Sequence, residues 1–333
     1  MGSISHTYLL DNPPCVISHA AIVGPKEGEG PLAHWFDQIC QDDTLGQDSF
    51  EKGECLLLQN TLQLAMEKAN LSPDQLSFML AGDLLNQIIS ASFAARQIKA
   101  PFLGMYGACS TMAESLAVGA MLLSGGFGHR ILCATTSHFS TAERQYRTPL
   151  EMGCQRPPTA QRTVTGAGAT LLGMDGGSIR IPRVTLGQVI DLGVTDANQM
   201  GAAMAPAAAD TLIHHFEETG HGPDYYDRIV TGDLGEIGLD ILRELLSGNG
   251  YALDERLMDC GAEIYKGLDN VDSGGSGCGC SAAVLNGMIL PQMEQGAYDR
   301  VLFMATGALL SPTSTQQKES IPGIAHAVAF ERR

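Results

Sequence analysis

The stretch Gly-Ala-Cys-Ser-Thr at residues 107–111 lies where an apolar segment leads into a helix of small residues, and it has an echo 170 positions later. Residues 107–136 match residues 277–306 without a gap, but Cys109 falls on Gly279. Two related segments in one chain indicate a structural unit that occurs twice. The cysteine is therefore a feature of the first copy alone.

A second pair of segments supports this duplication. Residues 62–84 match residues 212–234 at an offset of 150, and both segments end in Gly-Asp-Leu. The two correspondences follow the same order along the chain, which makes chance a poor explanation. We therefore divide the chain into a first half, residues 1–183, and a second half, residues 184–333.

Composition limits the classes of protein to which the chain can belong. It has 333 residues, 44% of them hydrophobic, and a mean hydropathy of +0.02, so it can bury a large core. The formal net charge of -17 disfavours a nucleic-acid partner, because binding to a phosphate backbone depends on clustered Lys and Arg. An anionic ligand would need a local pocket of donors or positive charge.

The cysteines indicate a reducing compartment. There are 9 of them, an odd number scattered through a long chain, which is typical of free thiols in a cytosol-like setting. Cys278 and Cys280 stand close together, but no second pair of Cys or His follows nearby. A buried structural role for these two is therefore favoured over a zinc site.

The sequence predicts no signal peptide and no membrane-spanning helix. Residues 1–10 lack a basic stretch followed by a long apolar segment. The most apolar region, residues 100–134, is interrupted by Gly104, Glu114 and Arg130, so it lacks the roughly 20-residue apolar span of a membrane helix. Any association with a membrane is expected to be peripheral.

Hydrophobic spacing predicts alternating helices and strands. Residues 56–69 place apolar side chains at helical spacing, and a second helix is expected to begin at Ser110 or Thr111, either of which can cap it. Strands that alternate with helices in a duplicated unit predict a layered α/β fold. The predicted strands of the first half are residues 77–81, 101–106, 130–135 and 163–172.

Cys109 has two interpretations. A thiol at a helix N-terminus feels the partial positive charge of unpaired N–H groups, which lowers its pKa and favours a nucleophilic thiolate. Attack on an acyl carbonyl would also need an oxyanion hole and an acid-base partner. Alternatively, the cysteine is a small, semi-buried residue fitted to a tight turn, and spacing alone favours this second interpretation.

The cysteine turn, the run Val-Thr-Gly-Ala-Gly-Ala at residues 164–169 and the duplication resemble the thiolase and ketoacyl-synthase superfamily over nearly the whole chain. The resemblance implies a five-layered αβαβα fold built from the two halves, usually as a homodimer. It also implies that Cys109 occupies the position of the nucleophile.

Two positions depart from the enzymes of that superfamily. Where condensing enzymes carry a histidine after a strand of the second half, this chain has Thr231, and where they carry an asparagine before a Ser-Ala pair, it has Gly279 and Cys280. Condensation depends on donors that stabilise an enolate or oxyanion, and Thr231 and Gly279 are poor substitutes. The resemblance therefore implies a site without ordinary condensing activity.

Seven segments, the cysteine turn among them, resemble the stage V sporulation protein AD family of endospore-forming bacteria. The resemblance implies a non-catalytic protein that binds dipicolinic acid (pyridine-2,6-dicarboxylate) and its calcium chelate and uses no other cofactor. It would act in dipicolinate uptake into the developing spore and in release during germination, peripherally at the spore inner membrane beside other stage V sporulation membrane-channel proteins. The segments are residues 81–87, 107–111, 141–145, 204–210, 274–278, 305–313 and 316–322.

Dipicolinate is a planar dianion, so its pocket needs donors for two carboxylates and a flat slot for the ring. The predicted donors are the helix N-terminus at Ser110 and Thr111 together with Arg144 and Arg147. Both arginines fit surface or dimer-interface positions equally well. His138 follows the strand after the cysteine helix and is a further candidate, although a lone histidine is more often structural.

The remaining predicted pocket residues are polar. Asp83 and Asp233 end equivalent strands, where they can accept hydrogen bonds, meet a calcium ion bound to the ligand, or cap the helices that follow. Asn86 belongs to the same run as Asp83, and Thr231 is included because it replaces a histidine. His326 lies in the last glycine-rich segment, where a buried structural role is the favoured interpretation.

Two functions from different classes stay open. The first is a ligand-binding component of spore dipicolinate transport, and the second is an acyltransferase or condensing enzyme that uses Cys109 with His138 or His326 as its base. The replacement of the expected histidine and asparagine favours the first.

Overall fold

The computed structural model describes residues 5–146, 157–253, 255–271 and 273–333. The strands within these ranges are β1 (Thr7–Leu9), β2 (Cys15–Val23), β3 (Gln38–Ile39), β4 (Phe78–Gly82), β5 (Phe102–Gly104), β6 (Arg130–Ser137), β7 (Arg162–Thr163), β8 (Gly166–Gly173), β9 (Ile179–Leu186), β10 (Arg228–Thr231), β11 (Leu257–Asp259), β12 (Gly275–Ser276), β13 (Arg300–Ala308) and β14 (Gly323–Arg332).

The α-helices in the same ranges are α1 (Phe50–Lys68), α2 (Ile89–Ile98), α3 (Thr111–Ser124), α4 (Phe139–Tyr146), α5 (Met200–Thr219), α6 (Gly235–Gly248), α7 (Cys260–Ile264), α8 (Cys278–Val284), α9 (Leu290–Glu294) and α10 (Pro312–Gln316). A π-helical turn (Leu285–Ile289) joins α8 to α9, so the three pieces run as one long helix.

The two halves have the same strand order. In the first half the order is β5-β4-β6-β8-β2, and in the second it is β11-β10-β13-β14-β9. In each half the first three strands are parallel and the last two run antiparallel to their neighbours. The duplication read from the sequence is therefore a duplication of topology. The division proposed at residues 183 and 184 falls inside β9, which is the last strand in the order given for the second half.

The halves are joined edge to edge. Strands β2 and β9 pair antiparallel over Cys15–Arg180 and Val16–Ile179, while β1 and β3 extend this region at β9 and β2. A separate short ribbon of β7 and β12 connects the halves a second time. The two sheets are therefore continuous along one edge.

Five layers result. Helices α1 and α2 cover the outer face of the first sheet, and α5 and α6 cover that of the second. Helix α3 lies between the sheets, where it contacts β4 and β6 of its own half and β13 and β14 of the other. Helix α8 contacts β2, β6 and β8 of the opposite half. The thiolase-like αβαβα fold expected from the resemblance is confirmed.

Buried side chains tie the central layer together. The Asn286 Nδ2 donates to the Ala282 carbonyl at 2.8 Å, and its Oδ1 accepts from the Thr170 hydroxyl at 2.6 Å. This side chain, which lies in the π-helical segment, bonds back to α8 and, at the same time, to β8 of the first half. A buried amide with partners at both ends helps to fix the register of the two layers.

The predicted elements occur with shifted ends. The helix predicted at 56–69 begins earlier, at Phe50, because Ser49 accepts a hydrogen bond from the Lys52 N–H and caps it. The strand predicted at 163–172 begins at Gly166 instead, since Thr163 belongs to the β7 ribbon. No described helix is both long and apolar enough to cross a membrane.

Candidate ligand-binding site

The cysteine turn is held by its own hydroxyl groups. Ala108 has a left-handed backbone with φ of 52°, and this turns the chain sharply before α3. The Thr111 hydroxyl accepts from the Gly107 N–H at 3.0 Å and donates to the Ala108 carbonyl at 2.6 Å. The Ser110 hydroxyl donates to the Gly107 carbonyl at 2.7 Å. Both side chains are wholly buried and bonded to the turn.

The expected helix cap is therefore wrong. Ser110 stands at the N-cap position but makes no side-chain cap. The N–H groups of Ser110 and Thr111 donate to the carbonyls of Gly107 and Ala108 at 3.0 and 3.3 Å. These two N–H groups, which the sequence predicted as donors for a ligand, already have partners within the turn, and so do both hydroxyls.

The Cys109 side chain lies beside Asp233 of the second half. The thiol and the Asp233 carboxyl interact electrostatically, and each affects the ionisation of the other. Burial and then the charge of Asp233 raise the pKa of the Cys109 thiol well above its ordinary value. The expectation of a lowered pKa is wrong, because a carboxyl next to the sulfur and the loss of solvent oppose ionisation.

Asp233 is itself buried and fully bonded. Its Oδ2 accepts from the Gly277 N–H at 2.8 Å, and its Oδ1 accepts from the Thr306 hydroxyl at 3.1 Å. Burial raises the pKa of Asp233 to about 7, although the bonds from Cys109, Gly277 and Thr306 oppose the rise. The carboxyl thus links the cysteine turn of the first half to the equivalent turn of the second.

A cavity opens above Cys109 where the two halves meet. Its space, which includes the part open to solvent at the mouth, amounts to about 520 Å³. Most of its lining is apolar, with a few polar groups. The described lining residues are Leu84, Tyr106, Ala108, Cys109, Ala142, Glu143, Tyr146, Thr163, Ala197, Met200, Ser276, Ala308 and Leu310.

Two tyrosines form an aromatic part of the wall. Tyr106 follows β5 and is 47% exposed, whereas Tyr146 ends α4. Their hydroxyl oxygens are 3.5 Å apart, and the Tyr146 hydroxyl also donates to the Leu84 carbonyl. The Gln145 Nε2 donates to the same carbonyl at 3.1 Å. The end of α4 is therefore fixed to the loop after β4.

Three predicted pocket residues lie beside the cavity instead of in its lining. Asp83 is buried, and its two oxygens accept from the Leu85 and Ala91 N–H groups at 2.8 and 2.7 Å. It caps α2, as the alternative interpretation stated. Asn86 is exposed, and Arg144 forms an ion pair with Glu51 on α1.

Asn86 and Arg144 share a neighbouring depression. Arg147 lies outside the described residues.

Below this depression, Glu54 accepts a hydrogen bond from Thr141 of α4 at 2.7 Å. Burial and next the charge of Asp83 raise the pKa of Glu54. Glu54 and Asp83 are therefore two neighbouring buried carboxyl groups whose pKa values are both raised.

Both candidate histidines have structural partners. The His138 Nε2 lies 2.7 Å from the Asp43 carbonyl, and its Nδ1 accepts from the Ser140 N–H at 3.1 Å. This places the proton on Nε2 and leaves the ring neutral, in keeping with a pKa that burial lowers. The His326 Nδ1 accepts from the Gly187 N–H, and burial lowers its pKa to about 4. Neither ring is among the cavity lining described above.

Thr231 also has a structural partner. It is buried, and its hydroxyl donates to the Asp259 carboxylate at 2.7 Å. Asp259 in turn accepts from the N–H groups of Leu234 and Gly235 at the start of α6. The threonine thus supports the residue that caps α6 and lies away from the cavity.

Gly279, the counterpart of Cys109, has no space for a side chain. A Cβ at this position would lie 2.3 Å from the Gly166 carbonyl oxygen and 2.5 Å from the Ser137 hydroxyl. The thiols on either side point to backbone carbonyls, Cys278 to Thr136 at 3.0 Å and Cys280 to Gly232 at 3.8 Å. Among the described residues, no group of three or more His, Cys, Asp or Glu could hold a metal ion.

The sequence reading missed most of the cavity wall. Tyr106, Tyr146, Glu143 and Met200 come from separate loops and helix ends, so no spacing in the sequence unites them. One available signal was the position of Tyr106 between a predicted strand and the cysteine turn. Tyr146 lies just after Arg144, so both tyrosines are close in sequence to predicted pocket residues.

One family matches the chain along almost its whole length. The sequence profile described as Stage V sporulation protein AD (SpoVAD) matches residues 4–331. The chain belongs to this family. A curated SpoVAD relative, Stage V sporulation protein AD of Bacillus subtilis (strain 168), is 48% identical over 326 residues, which cover 98% of this chain and 96% of the relative.

Two solved structures, a synthase and a thiolase, share the fold of this SpoVAD family member. 3-Oxoacyl-[acyl-carrier-protein] synthase III from Aquifex aeolicus VF5 aligns with a TM-score of 0.62 and 14% identity, over 96% of this chain and 99% of the enzyme. Human mitochondrial 3-ketoacyl-CoA thiolase, solved in complex with CoA, aligns with a TM-score of 0.61 and 12% identity, over 98% and 99%. Identities this low support a common fold alone.

Proposed function

We propose that the chain is a non-catalytic binding protein for dipicolinic acid and its calcium chelate, acting in dipicolinate uptake into the developing spore and release during germination. Its membership of a sporulation family supports the setting, and the cavity between the halves supports the binding of a small planar molecule. The observation that carries the proposal is the state of Cys109. Its thiol stays protonated beside Asp233, so the inherited nucleophile position is suited to lining a pocket.

The cavity suits a flat ring with polar edges. Its walls are mainly apolar, and the hydroxyls of Tyr106, Thr163 and Ser276 provide neutral polar groups. The buried carboxyl of Glu143 also lies in the wall. Calcium prefers oxygen ligands such as the carboxylates of dipicolinate, so the metal would arrive with the ligand, and no other cofactor is proposed.

The cellular setting extends the proposal. We place the protein peripherally at the spore inner membrane, in contact with other stage V sporulation membrane-channel proteins. A homodimer is also proposed, because β5 is an edge strand and its Leu103 is 43% exposed. Edge strands with exposed apolar side chains readily pair with another chain. Sedimentation analysis of wild type and a Leu103→Lys variant tests the dimer, which the lysine should weaken.

Calorimetry of the purified protein tests the binding function. We expect saturable binding of dipicolinate, with and without calcium, and a Cys109→Ala variant should retain binding within about ten-fold because the thiol is a wall contact. A Cys40→Ala variant controls for the loss of a thiol elsewhere. An absence of binding to both the free acid and the chelate would remove the proposal.

An acyltransferase remains the second candidate because Cys109 does line the cavity. Incubation with an acyl-CoA, followed by mass spectrometry of the peptide that contains Cys109, tests it. We expect no acyl adduct, since the raised pKa of the thiol disfavours the thiolate. A stoichiometric adduct on Cys109 that is absent from Cys109→Ala would support the enzyme.

A further inference from the structure

The two wall tyrosines have unequal hydrogen bonds. The Tyr146 hydroxyl donates its proton to the Leu84 carbonyl, so its oxygen faces Tyr106 as an acceptor. The oxygen-to-oxygen distance of 3.5 Å is longer than the 2.5–3.0 Å of an ordinary hydroxyl bond. The Tyr106 proton therefore has only a weak partner within the described wall.

Tyr106 is also placed where an entering molecule would meet it. It stands between the end of β5 and the cysteine turn, and nearly half of its surface is exposed while it lines the cavity. Tyr146 is fixed by Leu84, so the pair offers one ring that can adjust at the mouth and one that is held against the wall. A flat aromatic ligand can pack against such rings.

The hydroxyl keeps its proton in this setting. Burial is the largest cause that raises the pKa of Tyr106, and the bond to Tyr146 only partly opposes it. For Tyr146, burial and the neighbouring Tyr106 raise the pKa further. Both groups are consequently neutral, and Tyr106 can act as a donor to an anion.

We propose that Tyr106 is a ligand-binding residue of the cavity, whose hydroxyl turns from Tyr146 to donate to a carboxylate of a planar aromatic dicarboxylic acid while its ring packs on the ligand. This assignment rests on the proposed binding function and adds a residue to it. Because the donor is neutral, it can serve a carboxylate without adding a positive charge to the wall.

Calorimetry with dipicolinate on the full chain tests the assignment. The Tyr106→Phe variant keeps the ring and loses the donor, and we expect its Kd to rise at least about ten-fold, as for the loss of a bond to a charged group. Tyr106→Leu also removes the ring and should weaken binding by a further factor of about three or more. Tyr8→Phe, a partly exposed tyrosine on β1, should leave the Kd unchanged.

The measured Kd values distinguish a failure of the Tyr106 assignment from a failure of the proposed binding function. A wild type that binds dipicolinate together with a Tyr106→Phe variant within two-fold of it would overturn the assignment and leave the binding function standing. A wild type that binds neither dipicolinate nor its calcium chelate would overturn both. Thermal unfolding of each variant controls for folding, and the Phe variant should melt within a few degrees of wild type because its hydroxyl has no strong partner.

Discussion

The chain differs at the N-terminal ends of the two central helices, although the strands around them follow one plan. In the first half, Cys109 faces a cavity, whereas in the second half Gly279 is pressed against Ser137 and Gly166. Strand order, parallel pairing and the position of each turn are shared. The two halves thus share their arrangement of strands. The packing between them leaves space for a side chain at Cys109 and none at Gly279.

The paired aspartates differ in the same way. Asp83 accepts bonds from the N–H groups of Leu85 and Ala91 and caps a helix of its own half. Asp233 reaches across to Gly277 and the Cys109 thiol. Equivalent residues at the ends of equivalent strands therefore have different tasks, one local and one that joins both turns beneath the cavity.

The largest loss of stability should follow from adding a side chain at Gly279. A Gly279→Ala variant forces its Cβ onto the Gly166 carbonyl and the Ser137 backbone, and we expect it to lose about 3 kcal/mol of unfolding free energy. Gly248→Ala is the matched control, since no atom lies within 4 Å of a Cβ there. Urea denaturation measures both. A Gly279→Ala protein as stable as wild type would show that the two turns tolerate the same side chains.

The free energy of unfolding should depend on pH through Asp233. Its pKa is about 7 in the folded chain against an ordinary value of 3.8, so between these values the folded state binds more protons than the unfolded state. Stability then falls as pH rises from about 4 to about 7. Asp233→Asn should reduce this fall by roughly 2 kcal/mol, measured by urea unfolding at pH 5 and pH 8.

An Asp83→Asn variant tests whether the fall of stability with rising pH comes mainly from Asp233 of the second half. The pKa of Asp83 is raised to about 6, so its contribution has the same sign and ends at a lower pH. A larger change in Asp83→Asn than in Asp233→Asn would contradict the comparison.

A smaller loss of stability should follow from Thr231. Its hydroxyl bonds to Asp259, while the matching position in the first half is Ala81, which has no hydroxyl. Thr231→Val should therefore cost about 1–2 kcal/mol and leave dipicolinate binding unchanged. Calorimetry and urea unfolding on the same sample measure the two quantities. A clear loss of affinity without a loss of stability would mean that Thr231 contacts the ligand.

The smallest effect should be on thiol reactivity. Removing the charge of Asp233 lowers the pKa of Cys109, so Asp233→Asn should speed alkylation of this cysteine by iodoacetamide about three-fold at pH 8. Mass spectrometry of the Cys109 peptide follows the rate. Asp83→Asn serves as the symmetry-related control. Equal acceleration of alkylation in both variants would argue against a specific interaction between Asp233 and Cys109.

The framework was predictable because duplication leaves a record along the chain. The offsets that align Gly107 with Gly277 and Asp83 with Asp233 also align strands of the same order. Strand ends were less predictable, since the ribbon of Thr163 with Ser276 depends on residues more than a hundred positions apart. Local periodicity carries no information about such a pairing.

The cavity was predictable in position and not in detail. Cys109 marked the cavity, but the direction of its pKa shift depends on Asp233, a side chain from the other half. Arg144 was expected from its charge to serve an anion, yet Glu51 on α1 already pairs with it. The tyrosine wall depends on where α4 ends over the loop after β4, which is a property of packing.

The crossed contacts of the central layer affect how the newly made chain must fold. Strands β2, β6 and β8 are complete by residue 173, but α8, which packs on them, begins at Cys278. At about 5–20 residues per second, the ribosome needs on the order of 5–20 s to make the intervening segment. During this delay the nascent first half exposes an apolar sheet face, which is the kind of surface that chaperones bind.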